Sequence, residues 1–171
     1  LAPNHPDLEL IVLIENQKGL ENARKIAKAA PQISTLFLGY ADFSGEIGSD
    51  FAMDSLRHMR SRIVMAASEA GIDAMDGPFI EPTDIDGLVA ETKIVAGMGF
   101  TGKASYDAVQ IPHIHNIFTP SPDDIDHALR VIAAVSESPT GQARVDGVSV
   151  NRANLKTANR IIETAERRGV L

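Results

Sequence analysis

Runs of large apolar residues followed by an acid are the main pattern along this chain. Residues 10–14 are all apolar and lead into Glu15, and a second apolar-rich run, residues 35–40, leads into Asp42. A continuous apolar run of this length predicts a strand that is buried on both faces. Glu15 and Asp42 are about one strand–helix–strand unit apart, so we expect both acids at the same edge of a parallel sheet.

The spacing of the other apolar residues predicts the remaining elements. Helices are expected over residues 18–30, 53–70, 82–97, 121–136 and 151–168, with further strands at 72–75 and 99–105 and a short extended piece at 145–148. The polar segment 42–48 is interrupted by two glycines, which is typical of a loop. This alternation predicts a parallel α/β sheet, either open or part of a barrel, because four strands alone do not close a barrel.

The sequence Ser-Pro-Thr-Gly at residues 138–141 interrupts the chain in the manner of a linker. We therefore expect two domains. The first, residues 1–138, carries the sheet, and the second, residues 139–171, is a small C-terminal extension that carries one helix.

Composition excludes several classes of function. The 171 residues have a net charge of −7 with scattered lysine and arginine, which argues against nucleic acid or an anionic membrane surface as a partner. The absence of cysteine excludes disulfides, zinc-thiolate sites and a thiol nucleophile. No apolar run is long enough to cross a bilayer, so we expect a soluble, cytoplasmic protein. Because the first residue is Leu, we expect a processed chain or part of a longer product.

Glu15 and Asp42 form the clearest candidate site. Two carboxylates at neighbouring strand ends can bind one hard cation such as Mg²⁺, which usually takes one or two protein carboxylates and leaves positions for water and substrate. The alternative is that Glu15 caps the following helix and Asp42 closes a turn. Glycine-rich dinucleotide and P-loop motifs are absent, as is the Gly-x-Ser-x-Gly motif of a nucleophile elbow.

Other polar residues have simpler interpretations. His113 and His115 are two residues apart in an expected connection, and we interpret them as surface or packing residues. Arg60 and Arg62 lie on a predicted helix, where ion pairs or solvent contacts are expected. Asp146 precedes a glycine and is by default a turn residue.

Several motifs together resemble the HpcH/HpaI aldolase/citrate lyase family, and in particular its citrate lyase β-subunit-like branch of acyl-CoA lyases. The residues that carry this resemblance are 14–15, 19–23, LGYADF (38–43), 46–48, RSRIVMAA (60–67), AGIDAMDGP (70–78), GFTGK (99–103), FTPSP (118–122) and 146–147. They occur in the order typical of the family and extend over most of the chain.

The resemblance implies a fold and a chemistry. The fold is a (β/α)8 TIM barrel of the phosphoenolpyruvate/pyruvate type, of which this chain supplies the C-terminal half, followed by a C-terminal helical extension that contacts a neighbouring subunit. Glu15 and Asp42 match the family's two Mg²⁺ ligands, with Mn²⁺ as a possible substitute. Asp146 matches an aspartate that reaches a neighbouring subunit's active site and takes part in proton transfer. Members of this branch are usually homo-oligomers, either trimers or hexamers.

The activity implied is retro-aldol cleavage of a 3-hydroxyacyl-CoA, such as malyl-CoA, citramalyl-CoA or a citryl-type thioester, to an acyl-CoA and a 2-oxo acid. Two alternatives are a metal-dependent aldolase that acts on free 2-oxo acids and a truncated, non-catalytic homologue or assembly subunit. The resemblance identifies no residue of this chain as a CoA ligand.

Two departures from the family pattern have consequences. Relatives carry Lys-x-x-Ile-His-Pro-x-Gln where this chain keeps Lys103 and Gln110 but has Asp107 and Ala108 in place of the His-Pro pair, so CoA recognition there is expected to differ. The chain also resembles only the last four of the family's eight strands. We therefore expect either a fragment of a longer protein or the pairing of two copies, because an isolated half barrel exposes apolar strand edges.

Overall fold

The structure is a computed structural model that describes residues 7–171. It divides into two compact units, of which the first ends at Phe118 and the second is Thr119–Leu171. In the first unit the elements are β1 (Leu10–Ile14), α1 (Gln17–Ala27), β2 (Ile33–Leu38), α2 (Tyr40–Ile47), α3 (Met53–Ala70), β3 (Asp73–Asp76), α4 (Ile85–Met98), β4 (Gly102–Lys103) and α5 (Ile111–Phe118). The second unit contains α6 (Pro122–Glu137), β5 (Gln142–Val145), β6 (Val148–Asn151) and α7 (Arg152–Arg167).

The first unit is built on a parallel sheet with the strand order β1-β2-β3-β4. Because each strand pairs with the next one in the chain, successive right-handed crossovers place their helices on the same face of the sheet. The core lies between that face and the helices, and its most deeply buried side chains are Ile14, Leu36, Leu38, Leu56, Ile63, Leu88 and Val95. The predicted parallel α/β sheet is confirmed.

The opposite face of β1 is exposed to solvent. Ile11 is 59% exposed and Leu13 is 44% exposed, whereas Ile14 on the helix-covered face is 2% exposed. Successive side chains of a strand point to opposite faces, so residues 11 and 13 share the uncovered face. The prediction that β1 is buried on both faces is therefore wrong for the described part of the chain.

The segment from 40 to 47 is helix α2, so the prediction of a loop over 42–48 is wrong. Tyr40 and Phe43 are both buried on one side of this helix, and Gly48 ends it in the left-handed conformation with φ 71°. Burial of the two aromatic side chains outweighs the low helix propensity of Gly45. The fourth strand is also shorter than predicted and comprises only Gly102 and Lys103.

The second unit packs α6 and α7 with the β5–β6 hairpin around a small core of its own. The hydroxyl of Ser121 caps α6 by accepting a hydrogen bond from Asp124 N at 3.1 Å, and the backbone N–H of Ser121 donates to Asp124 Oδ2 at 3.0 Å, which completes a capping box. The predicted domain boundary followed residue 138, whereas the compact units divide after Phe118. Ser138 instead forms a tight turn, in which its hydroxyl donates to the carbonyl of Gln142.

Within residues 7–171, no helix has both the length and the apolar character needed to cross a membrane.

Candidate metal centre

Glu15 lies directly after β1, at the carboxyl end of the strand, and is partly exposed. The residue that caps the following helix is Asn16, whose side chain accepts a hydrogen bond from Gly19 N at 2.7 Å. Because Asn16 provides this cap, the alternative role of Glu15 as the helix cap is not needed. The Glu15 carboxylate is therefore left for another partner.

Asp42 lies in the first turn of α2, which follows β2, the strand that pairs with β1. The backbone at Gly39 joins the two strand ends, because Gly39 N donates to the carbonyl of Ile14 at 2.9 Å. A Cβ atom at Gly39 would lie 2.8 Å from Glu15 Cβ, so this position needs a glycine. The segments that carry Glu15 and Asp42 are thus in direct contact.

The chemistry of these two side chains fits a hard divalent cation. Among residues 7–171, no hydrogen bond or ion pair engages either the Glu15 or the Asp42 carboxylate. No group of three or more His, Asp or Glu side chains converges as a ligand set in the same residues. Mg²⁺ commonly takes only one or two protein carboxylates and completes its shell with water and substrate oxygens. The pair can therefore hold Mg²⁺ and leave open positions for a ligand.

A buried charge cluster lies on the helix-covered side of the sheet. Asp76 at the end of β3 accepts hydrogen bonds from Arg60 Nε at 2.8 Å, Arg60 Nη2 at 3.1 Å and Lys103 Nζ at 2.7 Å. Glu91 of α4 contacts the same two cations, with Lys103 Nζ at 2.6 Å and Arg60 Nη2 at 3.4 Å. Burial acts to lower the pKa of Arg60, but hydrogen bonding and the charge of Asp76 outweigh it, so this pKa is raised. The cluster thus pairs two cationic side chains, Arg60 and Lys103, with the carboxyl groups of Asp76 and Glu91.

Tyr40 connects this cluster to α2. Its ring lies beneath the Arg60 guanidinium, with 5.6 Å between Arg60 Cζ and the ring centroid, and its hydroxyl donates to the carbonyl of Pro78. A Cβ atom at Gly77 would lie 2.4 Å from the Tyr40 ring, so a side chain there would displace it. Burial, with a smaller contribution from nearby carboxylates, raises the pKa of Tyr40, so the hydroxyl remains a donor. Tyr40, the first residue of α2, is thereby held in place, and Asp42 follows it by two residues.

Lys103 and Gln110 are occupied by internal contacts. Lys103 Nζ also donates to the carbonyl of Gly77 at 2.8 Å, and its side chain is fully buried. Gln110 is fully buried and donates from Nε2 to the carbonyl of Phe79 at 3.3 Å. Both residues therefore support the carboxyl end of the sheet from within rather than presenting donors to a ligand at the surface.

Asp146 lies in the second unit, at the tip of the β5–β6 hairpin. It has φ 53° and is followed by Gly147 with φ 78°, the two positive values of a tight Asp-Gly hairpin turn. Its carboxylate pairs with Arg130 of α6 and lies 3.3 Å from Nδ1 of His127. The hydrogen bond from Arg130, with smaller contributions from its charge and from His127, holds the pKa of Asp146 below its ordinary value. Asp146 is therefore a carboxylate at neutral pH.

The remaining candidates do not join this site. His113 and His115 lie on α5, where His113 is partly buried and His115 is exposed. Arg62 donates from Nη2 to the carbonyl of Leu20 at 3.2 Å. Arg60 is ion-paired, as the sequence predicts, but it is completely buried rather than on a solvated face.

Comparison with known proteins identifies related sequences and structures. Residues 4–108 match the family model described as HpcH/HpaI aldolase/citrate lyase. The (3S)-malyl-CoA thioesterase of Cereibacter sphaeroides is 35% identical over 167 residues, which cover 94% of this chain and 58% of that protein. The mitochondrial citramalyl-CoA lyase of Rattus norvegicus is 33% identical over 172 residues, covering 92% of this chain and 51% of that protein.

Among solved structures, the protein CitE of Mycobacterium tuberculosis, in complex with magnesium, acetoacetate and coenzyme A, has a similar fold. It superimposes with a TM-score of 0.77 at 28% sequence identity, covering 94% of this chain and 62% of that chain. The chain spans little more than half the length of these relatives.

Proposed function

Because this chain belongs to the HpcH/HpaI aldolase/citrate lyase family, we propose that it carries the metal site of a Mg²⁺-dependent lyase that cleaves a carbon–carbon bond in a 3-hydroxyacyl-CoA. The observation that carries this proposal is the pair of unengaged carboxylates, Glu15 and Asp42, on strand-end segments that touch at Gly39. The relatives support it, since one is named a citramalyl-CoA lyase and another was solved with magnesium and coenzyme A.

In this proposal, Glu15 and Asp42 hold the metal ion. When bound, Mg²⁺ supplies positive charge that stabilises the oxygen anion formed as the substrate loses its hydroxyl proton. The bond between the hydroxyl-bearing carbon and the carbon next to the thioester then breaks, giving a 2-oxo acid and the enolate of an acyl-CoA. The enolate carbon then takes up one proton, which balances the proton lost from the hydroxyl, and the acyl-CoA product is complete. Malyl-CoA, citramalyl-CoA and citryl-type thioesters all contain the required 3-hydroxyacyl group.

Asp146 is our proposed proton-transfer residue, acting in the site of a neighbouring subunit of a homo-oligomer. Its pairing with Arg130 and its proximity to His127 keep the carboxylate ionised, the form that accepts a proton, and the same contacts make it a weaker base than an unpaired aspartate. Its position at a hairpin tip, 54% exposed, leaves it accessible to another molecule. A trimer or hexamer would place one such tip beside each metal site.

We also infer that the sheet is half of a (β/α)8 barrel. Its four parallel strands follow one another in chain order, as the strands of such a barrel do. The face with the exposed side chains of Ile11 and Leu13 then corresponds to the barrel interior, which is normally filled by side chains from all eight strands. Polypeptide equivalent to the relatives' remaining length, or a second copy of this chain, would cover this face.

Hydrolysis of the thioester is a second candidate function, favoured by the similarity to a protein named (3S)-malyl-CoA thioesterase. The products separate the two reactions. A lyase releases a 2-oxo acid and retains the thioester in the acyl-CoA, whereas a thioesterase releases free CoA thiol and forms no oxo acid. An aldolase that acts on free 2-oxo acids would need no CoA ester at all.

The test measures both products from malyl-CoA and citramalyl-CoA with the purified protein and Mg²⁺. We expect oxo acid without free thiol, and loss of the reaction when Mg²⁺ is chelated. Asp42→Asn should lower kcat/KM by at least about 100-fold, because a metal contributes several kcal/mol to transition-state stabilisation. Asp54→Asn is the matched control, since Asp54 also lies in the first turn of a helix and is 90% exposed. Turnover that survives both chelation and Asp42→Asn, or a failure to form any oxo acid, would overturn the proposal.

A further inference from the structure

Helix α2 carries a second acid on the same face as Asp42. Glu46 is four residues after Asp42, so the two side chains lie one above the other on the helix. Oε2 of Glu46 accepts a hydrogen bond from the backbone N–H of Gln17 at 2.9 Å. Gln17 is the first residue of α1 and comes two positions after Glu15. The face of α2 that bears Asp42 is thus tied to the segment that bears Glu15.

This bond completes a set of three ties that hold α2 in place. At its start, Gly39 N bonds to the carbonyl of Ile14, and the hydroxyl of Tyr40 bonds to the carbonyl of Pro78. Those two contacts fix the beginning of the helix but leave its last turn and its rotation to be set by other contacts. Burial of Phe43 sets which side of α2 faces the core, and the bond from Gln17 N to Glu46 holds the last turn of the helix against the start of α1.

We propose that Glu46 is a positioning residue for the metal centre, which sets the separation of the Glu15 and Asp42 carboxylates before the metal binds. This inference rests on the proposed function. Two neighbouring carboxylates repel each other in the absence of a cation, and α2, with only eight residues, is too short to be a stable helix by itself. The bond between Glu46 and Gln17 of α1 keeps the two carboxylates from moving apart and so favours metal binding.

The experiment must distinguish the effect of the negative charge of Glu46 from the effect of its hydrogen bond to Gln17. Gln17→Pro removes the N–H donor and leaves every charge in place. Proline suits the first position of a helix, and the preceding residue, Asn16, already has the extended conformation that precedes proline, with φ −147° and ψ 165°. Gln17→Ala is the matched control, because it removes the same side chain but keeps the N–H group. Glu46→Asp is a second charge-conserving variant, in which the carboxylate is one methylene shorter.

Calorimetric titration of the purified protein with Mg²⁺ alone gives the dissociation constant for each variant. A charge-assisted bond to a helix N-terminus corresponds to about a fivefold change in affinity, so Gln17→Pro and Glu46→Asp should each weaken Mg²⁺ binding by about that factor. Gln17→Ala should bind as the wild type does. The double variant Gln17→Pro/Glu46→Ala should bind Mg²⁺ no more weakly than Glu46→Ala alone, since each change removes the same hydrogen bond.

Two results would contradict the inference in different ways. If the wild type binds Mg²⁺ and both charge-conserving variants bind it equally well, Glu46 has no positioning role, while the proposed metal site stands. If the wild type itself does not bind Mg²⁺, the proposed function fails and the positioning role fails with it. Thermal unfolding of each variant, followed by circular dichroism, confirms that the titrated proteins are folded.

Discussion

Replacing Asp76 with asparagine removes a carboxylate that contacts both buried cations of the first unit. Asp76 accepts three hydrogen bonds, two from Arg60 and one from Lys103, and the side chains of all three residues are completely buried. Asparagine keeps the volume of the side chain but leaves two positive charges facing the single carboxylate of Glu91. That carboxylate is 17% exposed, so solvent offsets little of the imbalance.

Removing one partner of a buried ion pair typically costs about 3–5 kcal/mol, because the remaining charge is left uncompensated away from water. A domain of ordinary stability has a free energy of unfolding of roughly 5–15 kcal/mol, so the expected loss is a large fraction of the total. We therefore expect Asp76→Asn to lower the midpoint of urea unfolding substantially, with an unchanged dependence of the unfolding free energy on urea concentration.

Glu69→Gln is the matched control for this experiment. Glu69 also contacts two cations, with Arg24 Nε at 3.1 Å and Lys28 Nζ at 2.7 Å, but its side chain is 46% exposed. Solvent-exposed ion pairs contribute little to stability, so this variant should unfold close to the wild-type midpoint. Equal midpoints for Asp76→Asn and Glu69→Gln would refute the conclusion that the buried charge cluster around Asp76 depends on the Asp76 carboxylate for its stability.

Further predictions concern the metal site and the hairpin. Gly39→Ala places a methyl group 2.8 Å from Glu15 Cβ, so Mg²⁺ affinity measured by calorimetry should fall, whereas Gly97→Ala, in helix α4 with no atom within 4 Å, should leave it unchanged. Equal affinities would contradict the contact at Gly39. Arg130→Met removes the group that lowers the pKa of Asp146, so this pKa should rise. The carboxylate would then become protonated at a higher pH, which a carboxyl ¹³C NMR titration detects. A titration midpoint that does not move would show that Arg130 does not hold the carboxylate.

The sequence pattern predicts those elements whose signals are local. The apolar runs identify β1 and β2, and the helix expected over residues 121–136 is confirmed as α6, which begins at Pro122. The same runs place Glu15 and Asp42 after neighbouring strands, because consecutive parallel strands usually pair. That the two acids bind a metal ion remains a prediction.

Features that depend on distant contacts could not be read from the pattern. Helix α2 contains glycine and polar residues, and it forms because Tyr40 and Phe43 are buried by other elements. The buried cluster joins Arg60 with Asp76 and Lys103, and the last two meet because they are register partners on adjacent strands. A run of apolar residues also does not reveal that one face of β1 is left uncovered by the described chain. Each of these depends on tertiary packing rather than on local propensity.

The most direct test of the central claim is the position of a bound metal ion. Mn²⁺ can replace Mg²⁺ in oxygen-ligand sites and gives an anomalous X-ray signal. In crystals of the protein soaked with Mn²⁺, we expect one strong anomalous peak within about 2.1 Å of a carboxylate oxygen from each of Glu15 and Asp42. A peak bound elsewhere, or a peak that persists in crystals of Asp42→Asn with the same occupancy, would contradict the assignment of these residues as the metal centre.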